Sequence, residues 1–182
     1  ELYTGVPSVN DIVIFDENSF SAEGQQVLLD GDVSVHDLTI SGTTHMPEFV
    51  DGRFFIDGSL TMATPVILDD IVFFLGSDDH ATIDLSGLQL TGTNDHEITI
   101  NGTGSFDFVS SFSTRQLTIY NGTVSARGIT IVTEEFFVEA GLPVSVDLAT
   151  SELLVTEYLA VWRDVGSPFT SDFKLLLGLE GN

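Results

Sequence analysis

A pair of apolar residues, separated by one position, returns along this chain of 182 residues at nearly constant intervals. Successive pairs begin 26, 22, 23, 23, 23, 24 and 22 residues apart. Apolar residues make up 42% of the chain, so chance agreement in a preset register is on the order of one in a million, and we interpret the pattern as a structural repeat. The pairs are Ile12/Ile14, Leu38/Ile40, Leu60/Met62, Ile83/Leu85, Phe106/Phe108, Ile129/Ile131, Leu153/Val155 and Leu175/Leu177.

This repeat predicts both the secondary structure and its arrangement. Alternation of apolar and polar residues indicates short β-strands, and helix signals are almost absent. A coil of about 23 residues accommodates three short strands joined by turns, and successive coils stack about 4.8 Å apart. We therefore predict a right-handed parallel β-helix of about seven coils, in which Phe106 packs between Ile83 and Ile129. An antiparallel β-sandwich also needs many short strands, but it does not require a fixed long period.

Glycine dipeptides indicate the corners of the predicted coils. We expect Asp57-Gly58, Asn101-Gly102 and Asn121-Gly122 to supply the positive φ angles that tight bends require. The same geometry accounts for Asn101-Gly102-Thr103 and Asn121-Gly122-Thr123 without a glycan, although both match the N-glycosylation pattern.

The two ends of the chain suggest different structures. Residues 1–24 contain Pro7 and most of a polar stretch that runs from Glu17 to Gln26, so we predict an irregular N-terminal cap or first coil. Residues 25–182 are predicted to form the β-helix. Leu175 and Leu177 would begin a further coil, so we expect the β-helix to continue beyond the chain end.

The charge balance excludes some classes of partner. There are 28 acidic and 5 basic residues, and the formal net charge is -23. Such a field repels phosphate backbones and anionic lipids, so we expect no nucleic-acid partner. No apolar run reaches the roughly 18 residues of a membrane helix, so we expect no membrane insertion. Without cysteine the chain has neither disulfides nor thiolate metal sites.

The residues between the paired positions should form an outward column. In this column Asp84 and Asp107 would lie on adjacent coils about 4.8 Å apart, where a cation could separate the two carboxylates. They are therefore candidate calcium ligands, and two solvated carboxylates are the alternative. The predicted column is Val13, Thr39, Thr61, Asp84, Asp107, Thr130, Leu154 and Leu176.

No motif points to catalysis or to a cofactor. The chain has no G-x-S-x-G segment, no cysteine nucleophile and no glycine-rich phosphate loop. Its five basic residues are scattered along the sequence, which gives no candidate base for a polysaccharide lyase. The aromatic candidates for contact with a glycan or a protein are Tyr120, Tyr158 and Trp162. Trp162 follows the inward-facing position Val161 and so could face outward, and filling of the core is the alternative for it.

Several segments are similar to the repetitive β-helix regions of large secreted cell-surface proteins of Bacteroidetes. The similarity covers most of residues 9–165 and lies in scaffold segments such as "NDIVIFDENSF", "DLTISGTTHMPEF", "ITINGTGSFDF" and "LTIYNGTVSARGITI". Proteins of this type include adhesins and gliding-associated proteins exported by the type IX secretion system.

The resemblance implies a non-catalytic segment of an adhesin or stalk at the cell surface. Its partners would be other domains of the same large protein, together with glycans or another surface protein. Two alternatives remain open at this point. One is a β-helix that binds or cleaves a polysaccharide, and the other is a module that assembles end to end into a surface filament.

Overall fold

The computed structural model describes residues 6–88, 95–139, 143–161 and 174–177. These residues form strands, turns and loops, and no helix occurs among them. The thirteen strands are β1 (Ile12–Phe15), β2 (Gln26–Val35), β3 (Asp37–Ile40), β4 (Glu48–Ile56), β5 (Leu60–Met62), β6 (Ile67–Leu75), β7 (His80–Asp84), β8 (Asp95–Phe108), β9 (Phe112–Ser125), β10 (Thr130–Val138), β11 (Val144–Asp147), β12 (Glu152–Val161) and β13 (Lys174–Leu177).

The strands are stacked as a parallel β-solenoid of about six turns. The predicted all-β parallel β-helix is therefore confirmed, with close to the predicted seven coils. The long strands bend at corners, so one strand contributes to more than one side of the coil. Face 1 comprises residues 26–28, 48–50, 67–69, 112–114, 131–133, 152–155 and 174–177. Face 2 comprises residues 31–35, 52–56, 71–75, 96–100, 116–119, 135–138 and 158–161. Face 3 comprises residues 12–15, 37–40, 60–62, 80–84, 105–108, 123–125 and 144–147.

Alternation along each strand builds the core. On face 2, every second residue points inward and stacks on its counterpart in the next coil. The rings of Phe54 and Phe73 are stacked with centroids 5.7 Å apart. One inward column of this face is Val33, Phe54, Phe73, Ile98, Leu117, Phe136 and Leu159.

The predicted neighbours of Phe106 are wrong, although its burial is as expected. Phe106 is fully buried on face 3 and pairs with Ala81 on one side and Val124 on the other. Ile83 pairs with Phe108, while Ile129 directly precedes β10, which begins on face 1. The cause is variable coil length, because Phe106 follows Ala81 by 25 residues but precedes Val124 by only 18. A constant interval therefore crosses from one face to another and still meets inward apolar residues.

The first coil is displaced by one residue from the predicted register. Val13 pairs with Leu38 and Phe15 with Ile40, so these two point inward. Ile12 and Ile14, predicted to be inward, are each 60% exposed. The following turn buries Phe20, whose ring stacks on Phe15 with a centroid distance of 5.4 Å.

The corner glycines serve two different purposes. Gly122 has φ +100°, as predicted, and this conformation favours glycine over any other residue. Gly58 and Gly102 do not have positive φ, so that expectation is wrong for them. A Cβ on Gly102 would lie 2.1 Å from the carbonyl oxygen of Ser77 on the preceding coil. Close approach of two backbones is what requires glycine there.

The described part of the chain contains no helix long and apolar enough to span a membrane.

Candidate functional site

The outer surface of face 2 carries a row of aromatic side chains. Phe55 pairs with Phe74, and three coils further along the same outward ladder stands Phe137. Tyr158 lies beside Phe137 on the next coil. Tyr120 is exposed directly after the face 2 segment of β9, where the register with β8 breaks. We call these five residues the aromatic strip. The ladder reads Ser34, Phe55, Phe74, Thr99, Thr118, Phe137 and Ala160.

Ring contacts divide most of the strip into two clusters. Phe55 and Phe74 are stacked, with centroids 4.8 Å apart and ring planes 6° from parallel. Phe137 and Tyr158 have centroids 5.4 Å apart and planes inclined by 38°. Tyr158 is 52% exposed and Tyr120 40%. Such rings offer flat apolar faces to a ligand while the tyrosine hydroxyls reach water.

Two threonines lie between the clusters. Thr99 and Thr118 point outward by alternation, yet they are only 6% and 2% exposed. Gln116 Nε2 donates a hydrogen bond of 2.9 Å to Thr118 Oγ1. Two small residues, Thr99 and Thr118, therefore separate the two aromatic clusters on this ladder. From the Phe55 coil to the Tyr158 coil there are five strand spacings, or about 24 Å.

A polar ladder runs parallel to the aromatic strip on the same face. Glu97 forms an ion pair with Arg115, and the Asp32 Oδ1 and Arg53 Nη1 atoms are 3.9 Å apart. The carboxylates of Glu97 and Asp32 can also accept hydrogen bonds from a ligand that lies on the rings. The polar ladder reads Asp32, Arg53, Val72, Glu97, Gln116, Glu135 and Tyr158.

A groove of about 310 Å³ lies beside the Phe55/Phe74 cluster. Asp32, Arg53 and Val72 line it and also belong to the polar ladder. Asp51 and Asp70 line it from the bend between faces 1 and 2, where both have positive φ angles of 51° and 53°. The site thus combines two aromatic platforms, a row of hydrogen-bonding groups and a polar groove at one end.

The sequence predicted part of this site. Tyr120 and Tyr158 both lie on the strip, whereas Trp162 lies outside the described residues. The phenylalanines of the strip were not predicted. The available signal was the doublet Phe-Phe at 54–55, 73–74 and 136–137. Successive residues of a strand point to opposite sides, so one ring of each doublet must face outward.

The two candidate calcium ligands are not cross-strand neighbours. Asp107 pairs with Thr82, and Asp84 lies two residues further along β7, opposite Thr61 of the preceding coil. The premise of a facing carboxylate pair is therefore wrong. The His80 ring lies between Ser105 and Asp107 instead, with its Nδ1 3.0 Å from Ser105 Oγ and its Nε2 3.8 Å from Asp107 Oδ2.

Hydrogen bonds from its own turn and from the next coil account for the environment of Asp84. Burial raises the pKa of Asp84, but hydrogen bonds from the Ser86 N–H and hydroxyl and from the Ser110 hydroxyl outweigh it and keep this pKa below its ordinary value. Within the described ranges, no three His, Asp or Glu side chains come together as a metal-binding group. Calcium binding by Asp84 and Asp107 stays a prediction.

The lowered pKa of Asp84 predicts a difference in acid stability. A carboxyl with a lower pKa in the folded than in the unfolded state stabilises the fold above the unfolded value, near pH 4, and loses this contribution as the pH falls through the folded value. We expect the wild type to lose more stability than Asp84→Asn between about pH 6 and about pH 2. Urea unfolding of both proteins at each pH measures this difference. A constant gap between the two proteins would contradict the prediction.

No protein-family model, curated protein or solved structure matches the chain.

Proposed function

We propose that this chain is a non-catalytic β-helical segment of an exported cell-surface protein, and that its aromatic strip binds glycans. The observation that carries this proposal is the outward position of four aromatic rings on face 2 of the solenoid, with Tyr120 exposed at the end of the same face. Each of Phe55, Phe74 and Phe137 follows a buried phenylalanine, so the core does not need these second rings. Rings that are not needed for the core are available for stacking against the apolar faces of sugar rings.

The charge of the protein disfavours acidic glycans as ligands. The formal net charge of -23 repels sulfated and uronic-acid polymers. Uncharged sugars escape this repulsion, and their hydroxyls can donate hydrogen bonds to Glu97 and Glu135 beside the rings. The proposed ligand is therefore an uncharged glycan.

The cell-surface setting is proposed from the resemblance to Bacteroidetes surface proteins in segments such as "NDIVIFDENSF". In such a protein the solenoid would act as a spacer that carries the strip, and its neighbours would be other domains of the same polypeptide. An acidic surface is compatible with this location, because counterions outside the cell screen self-repulsion.

A glycan array with and without a chelator tests the proposed function. We expect binding to uncharged polysaccharides in both conditions, and no binding to heparin or alginate. Loss of binding in the chelator would assign a role to calcium, which the proposed stacking does not need. An array without any bound uncharged glycan would overturn the proposal.

Tyr158→Gln provides the corresponding variant. Gln116 occupies the same ladder two coils away, so glutamine fits this position of the sheet. We expect the Kd for a bound glycan to rise by about three- to tenfold, which corresponds to the loss of one stacking contact. Isothermal titration calorimetry measures this change. Val109→Ala is the matched control, because Val109 is 55% exposed but lies outside the aromatic strip, and it should bind like the wild type.

Polysaccharide cleavage is a second candidate function that one observation favours. Glu97 and Glu135 occupy the polar ladder two coils apart, or about 10 Å by strand spacing. Inverting glycosidases separate their two carboxyl groups by roughly 6.5 to 9.5 Å, so the backbone spacing of Glu97 and Glu135 lies just above that range. Release of new reducing ends from an array-positive polysaccharide distinguishes the two functions, and we expect none.

End-to-end assembly is a third candidate, and the first coil favours it. Ile12 and Ile14 are exposed on face 3, and Leu28 is 68% exposed on face 1. Among the described residues, β1 pairs only with β3 and β2 only with β4, so each has a free edge for another strand. Sedimentation velocity over a range of concentrations tests this assembly. Ile14→Thr should shift the protein toward monomer if the coil end is a contact surface.

A further inference from the structure

We propose that the ligand is an extended chain of several uncharged sugar units, which lies across the strands and contacts both aromatic clusters at once. This inference rests on the proposed glycan-binding function and specifies the class of glycan. It assigns the Phe55/Phe74 cluster and the Phe137/Tyr158 cluster to two ends of one binding surface.

The distance between the two clusters is too long for one sugar ring to span. Phe74 and Phe137 are three strand spacings apart on one ladder, or about 14 Å. A single sugar ring is far shorter than this separation. A terminal sugar or a disaccharide can therefore stack on one cluster only, whereas a longer chain can reach both.

The direction of the two ladders indicates how an extended ligand would lie on the solenoid. The aromatic ladder and the polar ladder both run from coil to coil, perpendicular to the strands. An extended ligand on the rings thus has Glu97, Gln116 and Glu135 along its edge over three successive coils, from the Thr99 coil to the Phe137 coil. Thr99 and Thr118 lie below these neighbours and leave no tall side chain on the ladder between the two clusters.

The groove beside Phe55 and Phe74 can accommodate a further part of the glycan. Its lining includes Asp32, Arg53 and Asp70, whose side chains can form hydrogen bonds with the hydroxyl groups of a sugar. A branch or a chain end of the glycan can enter this groove while the ring next to it stacks on Phe74.

Charge favours an uncharged glycan over the other polymers that aromatic strips accept. Acidic glycans meet the negative field of the whole protein. A basic peptide would be attracted by that field, but on the polar ladder the carboxylates of Asp32 and Glu97 already have arginine partners. The ladder therefore offers a peptide fewer unshared charges than the net charge suggests.

The length of the chain tests the inference. The probes are the disaccharide and the hexasaccharide of linear β-1,4-linked glucan, mannan and xylan, together with any uncharged polysaccharide found on the array. We expect at least about tenfold tighter binding of the hexasaccharide than of the disaccharide for the recognised sugar, since only the longer chain uses both clusters. An octa-arginine peptide is included as the competing ligand.

Variants at each end separate the two clusters. Phe55→Thr and Tyr158→Gln are matched to neighbours of the same ladders, Thr99 and Gln116. Each variant should weaken hexasaccharide binding about three- to tenfold, and the double variant should bind the hexasaccharide no better than the wild type binds the disaccharide. Urea unfolding confirms that each variant is folded, and Val109→Ala again serves as the control.

The outcomes separate this inference from the proposed function. Equal affinity for short and long chains, or an effect of only one of the two clusters, would overturn the two-cluster inference and leave glycan binding intact. Absence of binding to every uncharged glycan would overturn both. Strong binding of octa-arginine with sensitivity to Tyr158→Gln, but no glycan binding, would assign the strip to a basic peptide instead.

Discussion

Phe106→Ala is expected to lower the free energy of unfolding by about 3 to 5 kcal/mol, the usual cost of removing a fully buried phenylalanine ring. Phe106 has no exposed surface, and its neighbours in the ladder, Ala81 and Val124, are too small to fill the cavity. The ring also contacts the corner at Gly122, where a Cβ would lie 3.1 Å from it. Urea unfolding followed by circular dichroism measures the change from the shift in midpoint at constant slope.

Phe137→Ala is the matched control for this substitution. It removes the same ring from a strand of the same solenoid, but Phe137 points outward on face 2 and is only partly buried. We expect a loss of about 1 to 2 kcal/mol, because the removed ring was already partly in water. Similar losses for both variants would show that Phe106 is not the more deeply packed residue. A change of slope in either variant would indicate that the coils no longer unfold as one unit.

The alternation of apolar residues was sufficient to predict the fold class. Pairs such as Leu38/Ile40 and Leu60/Met62 are inward neighbours on successive coils, as the spacing predicted. This pattern is informative because a parallel coil buries one side of every strand. The all-β parallel solenoid therefore follows from the sequence with few further assumptions.

The register could not be predicted in the same way. Every face has inward apolar residues, so a constant interval finds a match even where it moves to another face. Ile129 matched Phe106 for this reason, although Phe106 pairs with Val124. At the first coil, Ile12-Val13-Ile14-Phe15 is apolar at each position, and alternation cannot choose between two registers. The backbone pairing of Val13 with Leu38 and of Phe15 with Ile40 determines the register of this coil.

The sequence identified only part of the candidate site. Tyr120 and Tyr158 were named as aromatic candidates for contact with a glycan or a protein, and both are exposed. Phe55 and Phe74 were not singled out. The clue was positional, since each follows another phenylalanine within a strand and the two rings must point to opposite sides.

Gly104→Ala is expected to lower the free energy of unfolding by about 3 kcal/mol or more, because the added methyl group would clash with the backbone of the preceding coil. A Cβ on Gly104 would lie 1.9 Å from the carbonyl oxygen of Asp79. Hydrogen bonds fix this approach on both sides, because the Gly104 N–H donates to Ser77 O and the Ser105 N–H donates to Asp79 O, each at 3.0 Å. The methyl group can fit only if β8 moves away from the preceding coil. Urea unfolding measures the loss.

Gly76→Ala is the control for this clash, because it adds the same methyl group to the loop on the other side of the contact. The nearest atom to its Cβ would be Asp57 Oδ1 at 3.5 Å, an ordinary contact, and Gly76 does not have positive φ. We expect its stability to stay within about 0.5 kcal/mol of the wild type. Because alanine also restricts the unfolded chain, a small gain is compatible with the argument. Equal effects of the two variants would mean that the coils are not in backbone contact at Gly104, and the close stacking of β8 on the loop before β7 would then be wrong.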